Sequence, residues 1–165
     1  MPKLQQITPF LWFEKNAKEA AGFYVSVFRK GSKIKSVRVM KDTPSGTVEI
    51  VEVRLLGLDL TLMAAGPFEK FSAATSFVVD CRTQAEIDRY WKALSADPNA
   101  EMCGWLRDKY GVTWQIVPTV LNEMLADEDR AKAARVQQAF LAMKKFDIAK
   151  LKAAYKGAAR RSGRS

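Results

Sequence analysis

No histidine occurs among the 165 residues. That absence removes the commonest general base and the imidazole metal ligand. Proton transfer, if any, must run on Asp, Glu, Lys, Tyr or a thiolate. Cysteine is nearly as scarce. Cys81 and Cys103 are too few and too far apart for a disulfide framework or a zinc knuckle. There is no G-x-G triplet, so the Gly-rich strand-to-helix turn that usually holds a nucleotide-like methyl donor is missing. No apolar run approaches the roughly 18–20 residues of a membrane span. The opening MPKLQQITPFLWF lacks the basic, apolar and small-residue zones of a secretory leader. These absences predict a reduced, cytoplasmic protein with no membrane partner and no cofactor.

Acids are missing from one region. From Arg130 onward stand eleven Lys or Arg against one acid, Asp147, whereas residues 1–129 carry 16 basic and 17 acidic side chains. The net charge of +9 is thus a property of the tail. A basic helical tail more often solvates one face or meets an acidic surface than reads nucleic acid. The interleaved aromatics of single-strand binders are sparse there, being only Phe140, Phe146 and Tyr155. Nucleic acid is not the expected partner.

What is present repeats itself. ITPFLWFEKNAKEAAGFYVSVF reads as a strand and a helix, with Asn16 as N-cap and Glu19 three residues on. AATSFVVDCRTQAEIDRYWKAL reads the same way, with Thr83 and Glu86 forming a capping box. A shift of 67 residues superposes Asn16 on Thr83, Glu19 on Glu86, Phe23-Tyr24 on Tyr90-Trp91 and Val27 on Leu94. Each aromatic pair lies two turns into its helix, on the side expected to meet a sheet.

The first half continues with the strand SKIKSVRVM, the turn DTPSG, the strand TVEIVEVRLL and, after Gly57, the strand GLDLTLMAA. The second continues with the loop DPNA, the strand EMCGWLRD, the turn KYG and the closing strand VTWQIVP. Each unit is read as β-α-β-β-β, so the expected fold class is α+β. Residues 1–118 form the paired domain, with repeats at about 5–64 and 74–118 and a linker at 64–74. Residues 119–157 are a helical extension of it, and 158–165 a disordered basic end.

In the extension, TVLNEML is a short helix and DEDRAKAARVQQAFLAMKK a longer one, acidic at its start and basic at its end. Val136, Phe140 and Met143 mark an apolar stripe. Asp147 caps a last helix carrying Ile148, Leu151 and Tyr155, with Gly157 past its end. The stripe is too apolar for a solvated tail and must cover its own sheet or a partner's. A homodimer with the tail at or near the interface is expected.

The motifs ITPFLWF, Ala17 to Tyr24, SFVVDC, EIDRYWKAL and above all CGWLRDKYGVTWQIVP give the chain a resemblance to a family. It resembles the vicinal oxygen chelate superfamily of glyoxalase I, extradiol dioxygenases and bleomycin-resistance proteins. Within it, the chain looks like the PhnB-like branch, labelled 3-demethylubiquinone-9 3-methyltransferase-like. The resemblance covers about residues 5–157. It implies a curved eight-stranded sheet around a cavity, pairing of two copies, and metal ligands, usually His and Glu, on the first and last strand of each unit. Carried onto this chain through the repeat, those four positions are Pro9, Thr61, Ser76 and Gln115. None is a carboxylate or an imidazole, so a metal-dependent reaction is not expected.

Alternation puts Thr113, Gln115 and Val117 on the cavity side of the closing strand, with Trp114 and Ile116 under a helix. By the same rule Pro9, Leu11 and Phe13 face the cavity, and Phe10 and Trp12 face away. Cys103 and Trp105 join the pocket candidates, Cys103 read as a strand residue beside Gly104. Asp108 belongs to the RDKYG turn. The expected function is metal-independent binding of a small molecule, with no assigned reaction. The alternatives are a group-transfer enzyme on the same fold, methyltransferase-like by family label, and a regulatory module whose basic tail meets an acidic partner or nucleic acid.

Overall fold

The computed structural model of the chain describes residues 5–157. The basic end expected to be disordered, 158–165, lies outside them. The chain divides into two compact units, Met1–Ser72 and Ala73–Ser165. Together they hold two mixed sheets and five α-helices among the described residues. No helix among those residues is long and apolar enough to cross a membrane.

The first unit runs β1 (Phe10–Phe13), α1 (Ala17–Phe28), β2 (Lys33–Thr43), β3 (Gly46–Leu55) and β4 (Leu58–Ala64). Its sheet has the order β1-β4-β3-β2, with β1 parallel to β4 and the other pairs antiparallel. This is the expected β-α-β-β-β pattern. The hairpin between β3 and β4 turns at Leu56 and Gly57, both with positive φ (49° and 92°), the backbone a two-residue type I′ turn requires. Leu60, Leu62, Val51 and Val53 are buried on the face that carries Glu49. Glu49 reaches α1, where its Oε1 accepts the Lys18 backbone N–H at 2.8 Å. That bond corrects the expected cap. Asn16 has φ 64° and makes no side-chain cap bond, so the helix start is tied down by a residue from β3.

The facing of β1 is also corrected. Leu11 and Phe13 are buried and pair with Leu62 and Ala64, hence lie on the α1 side. Phe10 and Trp12 lie on the other face, Phe10 being 56% exposed. Both alternating sets of FLWF are apolar, so periodicity could not choose between them. The linker packs back on this unit: Trp12 Nε1 donates to the Gly66 carbonyl at 3.0 Å, and Phe71 meets Phe13 edge-on at 5.1 Å.

The second unit runs β5 (Phe77–Cys81), α2 (Gln84–Leu94), β6 (Trp105–Arg107), β7 (Thr113–Pro118), α3 (Thr119–Leu125), α4 (Arg130–Leu141) and α5 (Ile148–Lys156). Its sheet has the order β5-β7-β6, with β5 parallel to β7. The expected eight strands are therefore seven among the described residues, in sheets of four and three. The ten residues between α2 and β6 hold a 3-10 turn, Pro98–Ala100, and no strand. Unit 1 has far more chain between the corresponding elements and builds its long hairpin there.

The capping box at Thr83 and Glu86 forms as expected: Glu86 N–H donates to Thr83 Oγ1 at 3.2 Å and Glu86 Oε2 accepts the Thr83 N–H at 3.3 Å. Val27 and Leu94 are both buried, but only one aromatic of each pair is, Tyr24 and Tyr90. Helix α4 is capped by Asp129 and ends at Leu141. Lys144 and Lys145 therefore lie beyond its last turn, where they pair with Glu101 (3.7 Å) and Asp88 (2.5 Å). Asp147 caps α5, its Oδ1 accepting the Lys150 N–H at 3.0 Å. The apolar stripe of the tail is used within unit 2, where Val136 and Leu151 are fully buried.

Candidate functional site

The site grows from the alternation of β7. Trp114 and Ile116 are buried on the face that α2 covers. Gln115 and Val117 lie on the opposite face, beside Trp105 and Val78 in the cross-strand register. This half of the alternation was expected and holds. On that face Gln115 Nε2 donates to Ser76 Oγ at 2.9 Å. Two of the four positions carried over from the repeat are therefore in direct contact. Pro9 and Thr61, the other two, meet in unit 1 through the backbone, the Thr61 N–H donating to the Pro9 carbonyl at 3.0 Å. Thr61 is on the face away from α1, opposite Glu52.

A pocket of about 350 Å³ opens over the second sheet. Val78, Trp105, Gln115 and Val117 form its floor. The helical extension supplies the wall: Leu121 and Asn122 from α3, Phe140 from α4, and Phe146 from the connection to α5. Phe140 and Phe146 are an edge-to-face pair with centroids 6.2 Å apart. Cys103 completes the rim. The candidates Cys103, Trp105 and Gln115 thus come together, with Ser76 behind Gln115. The wall was missed by sequence reasoning. Phe140 was visible only as part of a stripe, and Phe146 as an isolated aromatic among lysines.

Cys103 is not a strand residue. Cys103 and Gly104 have φ 48° and 82° and turn the chain between Met102 and Trp105, which bond each other's backbones at 3.2 and 2.8 Å. The turn anchors the wall. Its Cys103 and Gly104 N–H groups donate to the carbonyls of Met143 and Lys144, both at 2.8 Å. A Cβ at position 104 would stand 2.4 Å from Phe146 Cε2 and 3.0 Å from the Ile116 carbonyl, so only glycine fits. Gln84 adds a second anchor: its Nε2 donates to the Phe146 carbonyl at 3.1 Å and its Oε1 accepts the Ile148 N–H at 2.9 Å.

Asp108 is structural, in the turn where it was expected. It is buried; its Oδ1 accepts the N–H groups of Tyr110 (2.9 Å) and Val112 (3.0 Å), and its Oδ2 accepts Trp114 Nε1–H at 2.8 Å. Cys81 faces the α2 side, where burial pushes its thiol up to about 12, far from a reactive thiolate.

The fold's usual metal does not fit these residues. Gln115, Ser76 and Thr61 offer only neutral oxygens, Pro9 only a carbonyl already engaged by Thr61, and no cluster of three His, Cys, Asp or Glu occurs among the described residues. Neutral amide and hydroxyl oxygens are weak ligands for a catalytic transition metal. Other depressions among the described residues are larger. One of about 440 Å³ lies between α3 and α4, near Arg130 and Gln137. One of about 420 Å³ lies at the start of α1, among Glu14, Lys15, Lys18, Glu19 and Glu49. Neither joins a side-chain amide held by a neighbour to an aromatic wall, which is the mixture expected of a ligand pocket.

The profile of the 3-demethylubiquinone-9 3-methyltransferase family matches residues 5–117. No curated protein matches the chain. Among solved structures, the chain is similar to a PhnB protein from Bacillus cereus, described as a 3-demethylubiquinone-9 3-methyltransferase. The identity is 30%, the TM-score 0.58, and the match covers 70% of this chain and all of that one. It is similar at 20% identity and TM-score 0.52 to protein PA1353 from Pseudomonas aeruginosa, over 70% of this chain and 98% of that one. It shares its fold with the fosfomycin resistance protein FosX from Mesorhizobium loti, at 12% identity and TM-score 0.53, over 77% and 99% of the two chains. The chain belongs to the PhnB-like 3-demethylubiquinone-9 3-methyltransferase family, whose members have the vicinal oxygen chelate fold.

Proposed function

We propose that this protein binds a small molecule on the open face of its second sheet, without a metal ion and with no reaction assigned to it. The observation that carries the reading is the Gln115–Ser76 pair set at the floor of an apolar pocket of about 350 Å³. A held amide among aromatic walls orients a ligand at little entropic cost, because its rotamer is fixed beforehand. The volume lies at the small end of the roughly 300–1,000 Å³ range of ligand sites. The donor set argues against metal chemistry in this chain: Pro, Thr, Ser and Gln stand where relatives of the fold use His and Glu.

The family's methyltransferase description is weaker support for a reaction here. The chain has no Gly-rich turn to hold a nucleotide-like donor. Cys103 sits on the rim of the pocket, where its thiol meets the Leu141 carbonyl at 3.8 Å. A thermal-shift screen against a metabolite panel tests the reading. Hits should stabilise the wild type, and Gln115→Ala should reduce their shift while leaving the unliganded melting temperature nearly unchanged. Hits that stabilise Gln115→Ala as well as the wild type would contradict it.

A further inference from the structure

We infer that the ligand of this pocket is an uncharged, ring-containing molecule that both donates and accepts a hydrogen bond, of the carboxamide or phenol type. The inference rests on the pocket being a binding site and goes on to its ligand's charge and shape. Among the described residues, no Asp, Glu, Lys or Arg lines the pocket. An anion or cation placed there loses hydration and finds no counter-charge, which is the costly way to bury an ion. Trp105, Phe140 and Phe146 offer ring faces and edges to a planar ligand.

The polar groups define the rest. Gln115 directs its Nε2 to Ser76, so Oε1 is the atom left to accept from a ligand. Among the described residues the Trp105 indole N–H makes no hydrogen bond, and Asn122 in the wall adds a side-chain amide, so the pocket sets donors beside that acceptor. A group that reaches both must carry a donor and an acceptor. A carboxylate or a phosphonate supplies acceptors only. The chemistry of this pocket therefore differs from that of a site built for anions.

The test compares benzamide with benzoate, which share a ring and a size and differ in charge at pH 7.4. Indole serves as a second neutral probe and propylphosphonate as a second anion. Binding is read by saturation-transfer NMR and titration on the full chain. Benzamide and indole should bind at least about tenfold more tightly than either anion, since about 1.4 kcal/mol is a factor of ten. Gln115→Leu should weaken benzamide by about tenfold, the loss of one hydrogen bond. Val78→Trp fills the pocket from its floor, at a side chain that is 55% exposed, so it should fold normally and abolish binding of both neutral probes.

Equal or tighter binding of benzoate, blocked by Val78→Trp, would overturn the neutral ligand class and leave the pocket reading standing. Binding that Val78→Trp does not affect, or no binding of either series to folded protein, would overturn the pocket reading itself.

Discussion

In unit 1 the sheet face turned away from α1 carries charge on β2, β3 and β4, with Phe10 and Trp12 on its β1 edge. Arg38 pairs with Glu52 at 3.1 Å, and Asp59 lies between Arg54 (2.6 Å) and Lys35 (3.0 Å). In unit 2 the corresponding face carries Val78, Trp105, Gln115 and Val117, and the chain's own α3 and α4 wall it in. The two units share a parallel first-and-last strand pair and a helix packed on one face. The shared part is the apolar side under the helix, where a wrong residue costs stability. The other face was free to diverge. Ion pairs suit a face exposed to water, where each contributes little. An apolar face must be covered, and unit 2 supplies the cover from its C-terminal extension.

The Cys103–Gly104 turn of unit 2 holds that cover and the Asp108 turn holds the hairpin beneath it, so both should be sensitive points. The largest effect is expected at Asp108→Ala, which strands the Trp114 indole N–H and two backbone N–H groups in the interior. Urea unfolding should show a loss of about 3–5 kcal/mol; a loss under 1 would mean that the turn does not organise the sheet. Next comes Gly104→Ala. Its Cβ meets Phe146 and a carbonyl, and the cost should be about 2–3 kcal/mol. Gly46→Ala in unit 1 has a similar φ of 79° with nothing within 4 Å of the new Cβ, so about 1 kcal/mol is expected. Equal losses at the two glycines would break the contrast between a solvated turn and one that anchors a wall.

The smallest effect belongs to the charged face. The hydrogen bond from Arg54, with Lys35 beside it, holds the Asp59 carboxyl well below the ordinary carboxylate range. A lowered folded-state value contributes stability above the unfolded value of about 4 and loses it as pH falls toward the folded value. Asp59→Asn should therefore cost about 1 kcal/mol near pH 7. The difference from wild type should shrink steadily below about pH 4. A difference that grows on acidification would contradict the ion-pair account.

Local signals carried much of this architecture into the sequence. The Thr83–Glu86 box, the Asp147 cap and the alternation of TWQIVP each depend on neighbours within one element, and each forms as read. The misreadings depend on distant partners. Asn16 looks like a cap until Glu49 takes the helix start from another strand. Cys103 reads as strand because its turn is fixed by Met143 and Lys144, some forty residues on. FLWF is apolar on both faces, so only its pairing with β4 decides which face is buried. Of the site, Gln115, Trp105 and Cys103 were legible, and so was the shared face of Gln115 and Val117. The wall of Leu121, Asn122, Phe140 and Phe146 was not, because helical periodicity says that a stripe is covered and not by what.

The most direct test of the contrast between the two faces uses two indoles as reporters. In an assigned 1H–15N correlation spectrum, benzamide should move the Trp105 indole and Gln115 side-chain amide signals. The Trp12 indole, bonded to the Gly66 carbonyl in unit 1, should stay in place. Movement of Trp12 with Trp105 and Gln115 unmoved, or no movement of any of the three, would contradict the account.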